Sequence, residues 1–143
     1  MAEAAADPVI PRDGLSLTAL HAFVAEHTTG EPYRVTCGAT GGKVQLPLAA
    51  LTTAQVVEAI VKVHTVPQAQ ADAGGGAGTY VQLLQQRAGG ARGLVAPATH
   101  FVSHAWSYPF ADLLAALDAR ADAADAYFWI GAAHSRVCFC VRR

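Results

Sequence analysis

The sequence predicts an α/β fold, with a strand–helix–strand unit behind a longer, mainly helical first part. Three observations carry this. Thr99-His-Phe-Val-Ser-His104 has the length and composition of a short strand. Pro109 then precedes Phe110, Leu113, Leu114 and Leu117, whose spacing puts them on one face of a helix. Ala126-Tyr-Phe-Trp-Ile130 is a near-continuous apolar run stopped by Gly131, the pattern of a strand buried on both faces. Strand, helix and strand over about 33 residues make a βαβ unit.

The first part reads as a series of capped elements. Ser16 is placed to cap a helix over Leu17, Leu20, His21, Phe23 and Val24, which Gly30 ends. Residues 33–37 and 43–48 alternate apolar and polar side chains across a loop holding Gly38, Gly41 and Gly42. That pattern predicts a β-hairpin, with Pro47 confining its second strand to an edge. Thr52 with Gln55 forms a capping box ahead of Val56, Val57, Ile60 and Val61, and Pro67 should stop that helix. Residues 68–78, with Gly74-Gly-Gly-Ala-Gly78, read as a linker. Thr79 with Gln82 repeats the cap before Val81, Leu83 and Leu84, and residues 88–93 break it. In the second part, Asp112 and Arg120 suit the two ends of a helix dipole. Arg136-Val-Cys-Phe-Cys-Val141 is a candidate third strand. The division falls near Val95, giving a leader over 1–95 and an α/β portion over 96–143.

Composition excludes several classes. The chain has 143 residues, with 10 Lys and Arg against 11 Asp and Glu, a formal net charge of -1. It lacks the excess of cations that binds nucleic acid or an acidic membrane. Hydrophobic residues at 52% and charged residues at 15% exclude a solvated disordered chain. Cys37, Cys138 and Cys140 are too few for a secreted disulfide scaffold. The first eight residues lack the basic and apolar regions of a secretory signal. No window approaches the roughly 18 apolar residues of a membrane span. These features together predict a soluble, cytoplasmic protein.

The chemical motifs divide on spacing. The Gly run at 74–78 has no following Lys-Ser/Thr and no preceding strand, so it is no phosphate loop. Cys138 and Cys140 could join His134, His100 or His104, but zinc sites use longer cysteine spacings, and no metal is expected. Ser103 lies outside any Gly-x-Ser-x-Gly elbow, against a serine hydrolase. His104 sits at a strand end, where α/β sheets gather ligands. The plainer alternative is that Ser103 and His104 hydrogen-bond the turn into the next helix. Glu58 and Lys62 have the spacing of a helical ion pair.

The most specific stretch is His100-Phe-Val-Ser-His-Ala-Trp-Ser-Tyr108, followed by Pro109-Phe110, Leu113-Leu114, Leu117 and Tyr127-Phe-Trp-Ile130. Together with the preceding residues 51–62, it resembles a family of algal and protist proteins whose opening strand reads Phe-Val-Ser-His-Ala-Trp. That family is similar to the Toll/interleukin-receptor (TIR) domain. The resemblance implies a flavodoxin-like parallel sheet that signals by self-association or by pairing with another TIR-like protein. Some such domains cleave NAD with a Glu carried on a later helix. By position, Phe101 and Val102 match core residues of the first strand, and Trp129 and Ile130 match the second strand. Ser103, His104, Ala105 and Trp106 match the strand end and first loop, which makes Ser103, His104 and Trp106 the ligand-pocket candidates.

The chain also departs from that pattern. Gly131-Ala-Ala stands where an acidic residue and loop usually follow, and no acidic residue follows Asp125. No catalytic residue is therefore assigned. Residues 98–143 amount to about one-third of a domain of this kind, by ordinary domain size. The expectation is an incomplete, C-terminally truncated TIR-like unit acting as a non-catalytic signalling or interaction fragment. It needs no cofactor; NAD enters only as ligand or substrate of the alternative, an NAD-cleaving enzyme. A nonfunctional truncated product is the remaining alternative.

Overall fold

A computed structural model of the chain describes residues 12–30, 32–65, 79–87, 92–120 and 122–131. Strand β1 (Asp13–Ser16) runs straight into helix α1 (Leu17–Thr28). Ser16 Oγ accepts from the Ala19 amide at 3.1 Å, which is the expected cap. β2 (Tyr33–Thr36) and β3 (Lys43–Leu46) form the expected antiparallel hairpin. Its turn closes with the Gly41 amide donating to the Cys37 carbonyl at 2.8 Å, and Gly41 takes a φ of +71° that favours glycine.

Helix α2 starts at Thr53–Val56, passes through a π-helical turn at Val57–Val61 and continues over 62–65. Its capping box is complete: the Gln55 amide donates to Thr52 Oγ1 at 3.3 Å, and the Thr52 amide donates to Gln55 Oε1 at 2.9 Å. Helix α3 (Tyr80–Gln86) repeats the box with Thr79 and Gln82. Then come β4 (Val95–Pro97), β5 (His100–Val102), helix α4 (Phe110–Asp118) and β6 (Tyr127–Ile130).

The fold is α/β, with one four-stranded mixed sheet in the order β4-β1-β6-β5. β5 and β6 are parallel, from His100 opposite Phe128 to Val102 opposite Ile130, and α4 joins them. That is the strand–helix–strand unit the sequence predicts. Parallel pairing stops there, because β1 lies antiparallel to both β4 and β6. Residues on both sides of position 95 thus share one sheet. The Gly-rich stretch at 68–78, the candidate strand at 136–141, and His134, Cys138 and Cys140 lie outside the described residues. Among the described residues, no helix is long and apolar enough to cross a membrane.

Among the described residues, helices α1 to α4 all contribute to one core on one side of the sheet. A small cavity of about 30 Å³ marks where they meet. Leu15 and Ile130 line it from the sheet, with Phe23 of α1, Val56 of α2, Tyr80 of α3 and Phe110 of α4. On α4 the expected face is the observed one: Phe110, Leu114 and Leu117 are buried, and Leu113 is half-buried against the same core. β6 corrects an expectation. Phe128 and Ile130 are buried, but Tyr127 and Trp129 are only half-buried. The strand is packed fully on one face, because the sheet has helices on one side among the described residues.

The hairpin is fixed to α2 by a carboxylate. Glu58 accepts from Lys43 Nζ at 2.7 Å and from Thr36 Oγ1 at 3.0 Å, while Gln55 Nε2 donates to the Thr36 carbonyl at 2.9 Å. Burial alone would raise the Glu58 carboxyl, but hydrogen bonds from Lys43 and Thr36 outweigh it and hold it below 4.5. The pair is partly open to water, so screening limits its worth to about 1 kcal/mol.

Two outcomes follow for stability. Glu58→Gln lowers stability by about 1 kcal/mol at neutral pH in urea unfolding. The unfolded chain takes up this proton more readily than the folded one, so the difference from wild type is full above 4.5 and fades as pH falls through the lower folded value. Gly14 allows β1 and β6 to approach closely: a Cβ there would lie 2.8 Å from the Tyr127 carbonyl carbon and 2.9 Å from the Phe128 nitrogen. Gly14→Ala pushes these backbones apart and costs about 1–3 kcal/mol in the same assay.

Candidate functional site

The loop over 103–109 leaves the carboxyl end of β5, beside the parallel strand β6. It is clamped to the start of α2 by backbone hydrogen bonds. The Thr53 amide donates to the Tyr108 carbonyl at 3.0 Å, and the Ala54 amide donates to the Trp106 carbonyl at 3.0 Å. In the other direction the Phe110 amide donates to the Leu51 carbonyl at 2.9 Å. Thr52 and Pro109 form an isolated antiparallel bridge at the middle of this clamp. The first amides of α2, which a helix normally leaves free, are therefore taken by the loop or by the Thr52 cap. An anion would find no open donors at that helix end.

The three candidate residues have different surroundings. Ser103 is exposed and makes no hydrogen bond among the described residues. His104 is half-buried, with its ring 5.5 Å from that of Trp106 at 49°. Both His104 ring nitrogens are shut off from solvent and have no partner among the described residues. Trp106 is half-buried and packs against the core. So the structure brings His104 and Trp106 together, but among the described residues it supplies no hydrogen bond from Ser103 to His104 and no carboxylate on His104. Nor do Ser103 and His104 side chains bond the turn, as the plainer reading expects.

A residue with no expected surface role stands out nearby. Phe101, a core position by resemblance, is 72% exposed. It lies in register with Trp129 across the parallel ladder and stacks on that indole at 4.8 Å and 18°. The row extends through Gly131, where a Cβ would lie 3.9 Å from Trp129 and 3.7 Å from Trp106. Alternation places Phe101 and Trp129 on the face opposite Phe128 and Ile130. The sequence carries the signal as an aromatic residue on each of two strands, but reading it depends on knowing that no described helix covers this face.

The other polar groups are used structurally. His100 Nε2 lies 2.9 Å from Asp122 and 3.0 Å from Arg120, which itself holds Asp122 at 3.0 Å. His21 pairs with Asp118 at 2.8 Å, tying α1 to the end of α4. Hydrogen bonds from the Thr40 hydroxyl, then from the Thr40 and Ala39 amides, hold the Cys37 thiol below its ordinary value in the hairpin turn. A groove of about 260 Å³ between α1, residues 47–49 and α4 is apolar apart from Thr28. The Thr28 hydroxyl already donates to the Val24 carbonyl at 2.7 Å. Among the described residues, no group of three His, Cys, Asp or Glu side chains could hold a metal ion.

His104 gives a direct check. Its nitrogens have no partner among the described residues, so His104→Leu should leave stability unchanged or raise it by about 1 kcal/mol in thermal unfolding. A loss of that size would show that the ring has a hydrogen-bond partner on which the fold relies. No family model, curated protein or solved structure matches this chain.

Proposed function

We propose that this chain is a non-catalytic interaction module of TIR-like kind, which associates with a second copy through the outer edge of β5. The observation that carries this is the Phe101–Trp129 stack, with Phe101 largely in solvent beside an edge strand that nothing pairs among the described residues. Edge strands are commonly protected by Lys, Pro, a bulge or a covering element. His100, Phe101 and Val102 carry none of those residue types. Two copies meeting antiparallel about Phe101 would place the two aromatic stacks side by side, a self-complementary arrangement about a two-fold axis. Covering a Phe side chain in this way contributes about 1.5–3 kcal/mol.

The geometry beside the loop supports a non-catalytic role. The start of α2 has its amides engaged by Trp106 and Tyr108, and His104 has no acid to orient it among the described residues. NAD cleavage is the second reading, favoured by the absence of any protein partner on the His104 nitrogens. It is the weaker one, because a dinucleotide needs donors for its phosphates and the adjacent helix end offers none.

Sedimentation velocity over a range of concentrations tests the proposal. The wild-type chain should associate as concentration rises. Phe101→Glu should weaken that association at least tenfold, about 1.4 kcal/mol, without unfolding the chain. Incubation with NAD should release no nicotinamide. A wild type that stays monomeric throughout, or a Phe101→Glu chain that associates equally well, would refute it.

A further inference from the structure

We propose that His27 is an acid-operated latch on helix α3: neutral His27 holds α3 against α1, and its protonation releases α3. The proposal is independent of the β5 edge. His27 lies in the last turn of α1, only 6% exposed, and its Nε2 is buried with no partner among the described residues. Its ring lies 4.6 Å from Phe23 and 5.0 Å from His64 of α2. Phe23 in turn meets Tyr80, the first residue of α3, edge-on at 5.2 Å and 89°. The far end of α3 is held by Arg87, which donates to both Glu26 oxygens at 3.1 and 3.3 Å. His27 therefore sits at the junction through which α1 holds α3.

The groups facing His27 decide what a proton does there. They are Glu26 on its own helix, His64 from α2, Arg87 just past the end of α3, and the Tyr33 hydroxyl of β2, which donates to the His27 carbonyl; Tyr80 of α3 is reached only through Phe23. Tyr80 is no source of charge: burial pushes its hydroxyl up to about 12. Burial lowers His27 below 6.5; Glu26 opposes this, while His64 and Arg87 add to it. Glu26 is already engaged by Arg87, which leaves the buried Nε2–H of a His27 cation without a hydrogen-bond acceptor among the described residues. A protonated His27 must reach water, and Phe23 loses its packed neighbour as it does. The contact that Phe23 makes with Tyr80 loosens with it.

The direction in pH follows. The released state takes up the proton near 6.5 and the latched state only at lower pH. Acid therefore favours release, by about tenfold per pH unit between those two values. Above 6.5 the latch is closed.

Hydrogen exchange of the 80–86 amides, expressed relative to their intrinsic rates at each pH, tests this. In the wild type, protection of α3 should fall steadily as pH drops below 6.5. His27→Phe keeps the aromatic packing and cannot take up a proton, so its protection should stay flat across the same range. Should that variant fail to fold, His64→Gln provides the second arm. Removing the neighbouring charge makes His27 easier to protonate, so the release midpoint should move to higher pH. A flat wild-type profile, a His27→Phe profile that falls like wild type, or a His64→Gln midpoint that does not move would each overturn the latch.

Discussion

The backbone clamp between residues 51–54 and 106–110 organises this molecule. Amides and carbonyls of Leu51, Thr53 and Ala54 meet those of Trp106, Tyr108 and Phe110, with Thr52 bridged to Pro109. The clamp sets three things at once: where the chain turns after β5, where α4 begins, and where α2 begins. Phe110, the last residue of the clamp, and Val56, two residues beyond it, then enter the same core. Glu58 and Gln55, one turn into α2, carry the hairpin. Because its bonds are between backbone groups, the clamp tolerates most side-chain changes on the loop. Its cost is chemical. Donors that another α/β protein would leave open for a ligand are closed here by the protein's own carbonyls.

The same construction leaves the sheet unequal on its two faces. The helices all contribute to the side that holds Leu15, Phe128 and Ile130. The other side presents Phe101 and Trp129 next to an edge strand. An open aromatic patch at a sheet edge favours association, whereas a strand-end loop with closed donors does not favour phosphate binding. The proposed association rests on these two features. The acid response at His27 is built elsewhere, in the α1–α2–α3 junction, where a histidine ring has been packed as an apolar group.

Much of this was legible locally. The caps at Ser16, Thr52 and Thr79 need only a hydroxyl and an amide three residues on, so sequence spacing reveals them. The face of α4 follows from the spacing of Phe110, Leu114 and Leu117, and the hairpin from alternation around its glycines. What depends on distant packing was hidden. β1 has four residues, one of them glycine, too few to show alternation, yet it lies inside the sheet. Glu58 reaches Lys43 on the hairpin, a contact set by docking and not by helical spacing. Ser103, His104 and Trp106 were found as neighbours of a strand end, but not the missing partners of the His104 ring. Phe101 reads as core in any sheet covered on both faces, and only the placement of the helices turns it outward.

The proposed association places a second copy on the outer edge of β5. Amide exchange at Phe101 and Val102, followed by NMR as protein concentration rises, tests it most directly. If a second copy pairs with this edge, the amides of β5 that face outward gain protection with concentration while those of β1 do not change. Exchange at β5 that is independent of concentration would contradict the account.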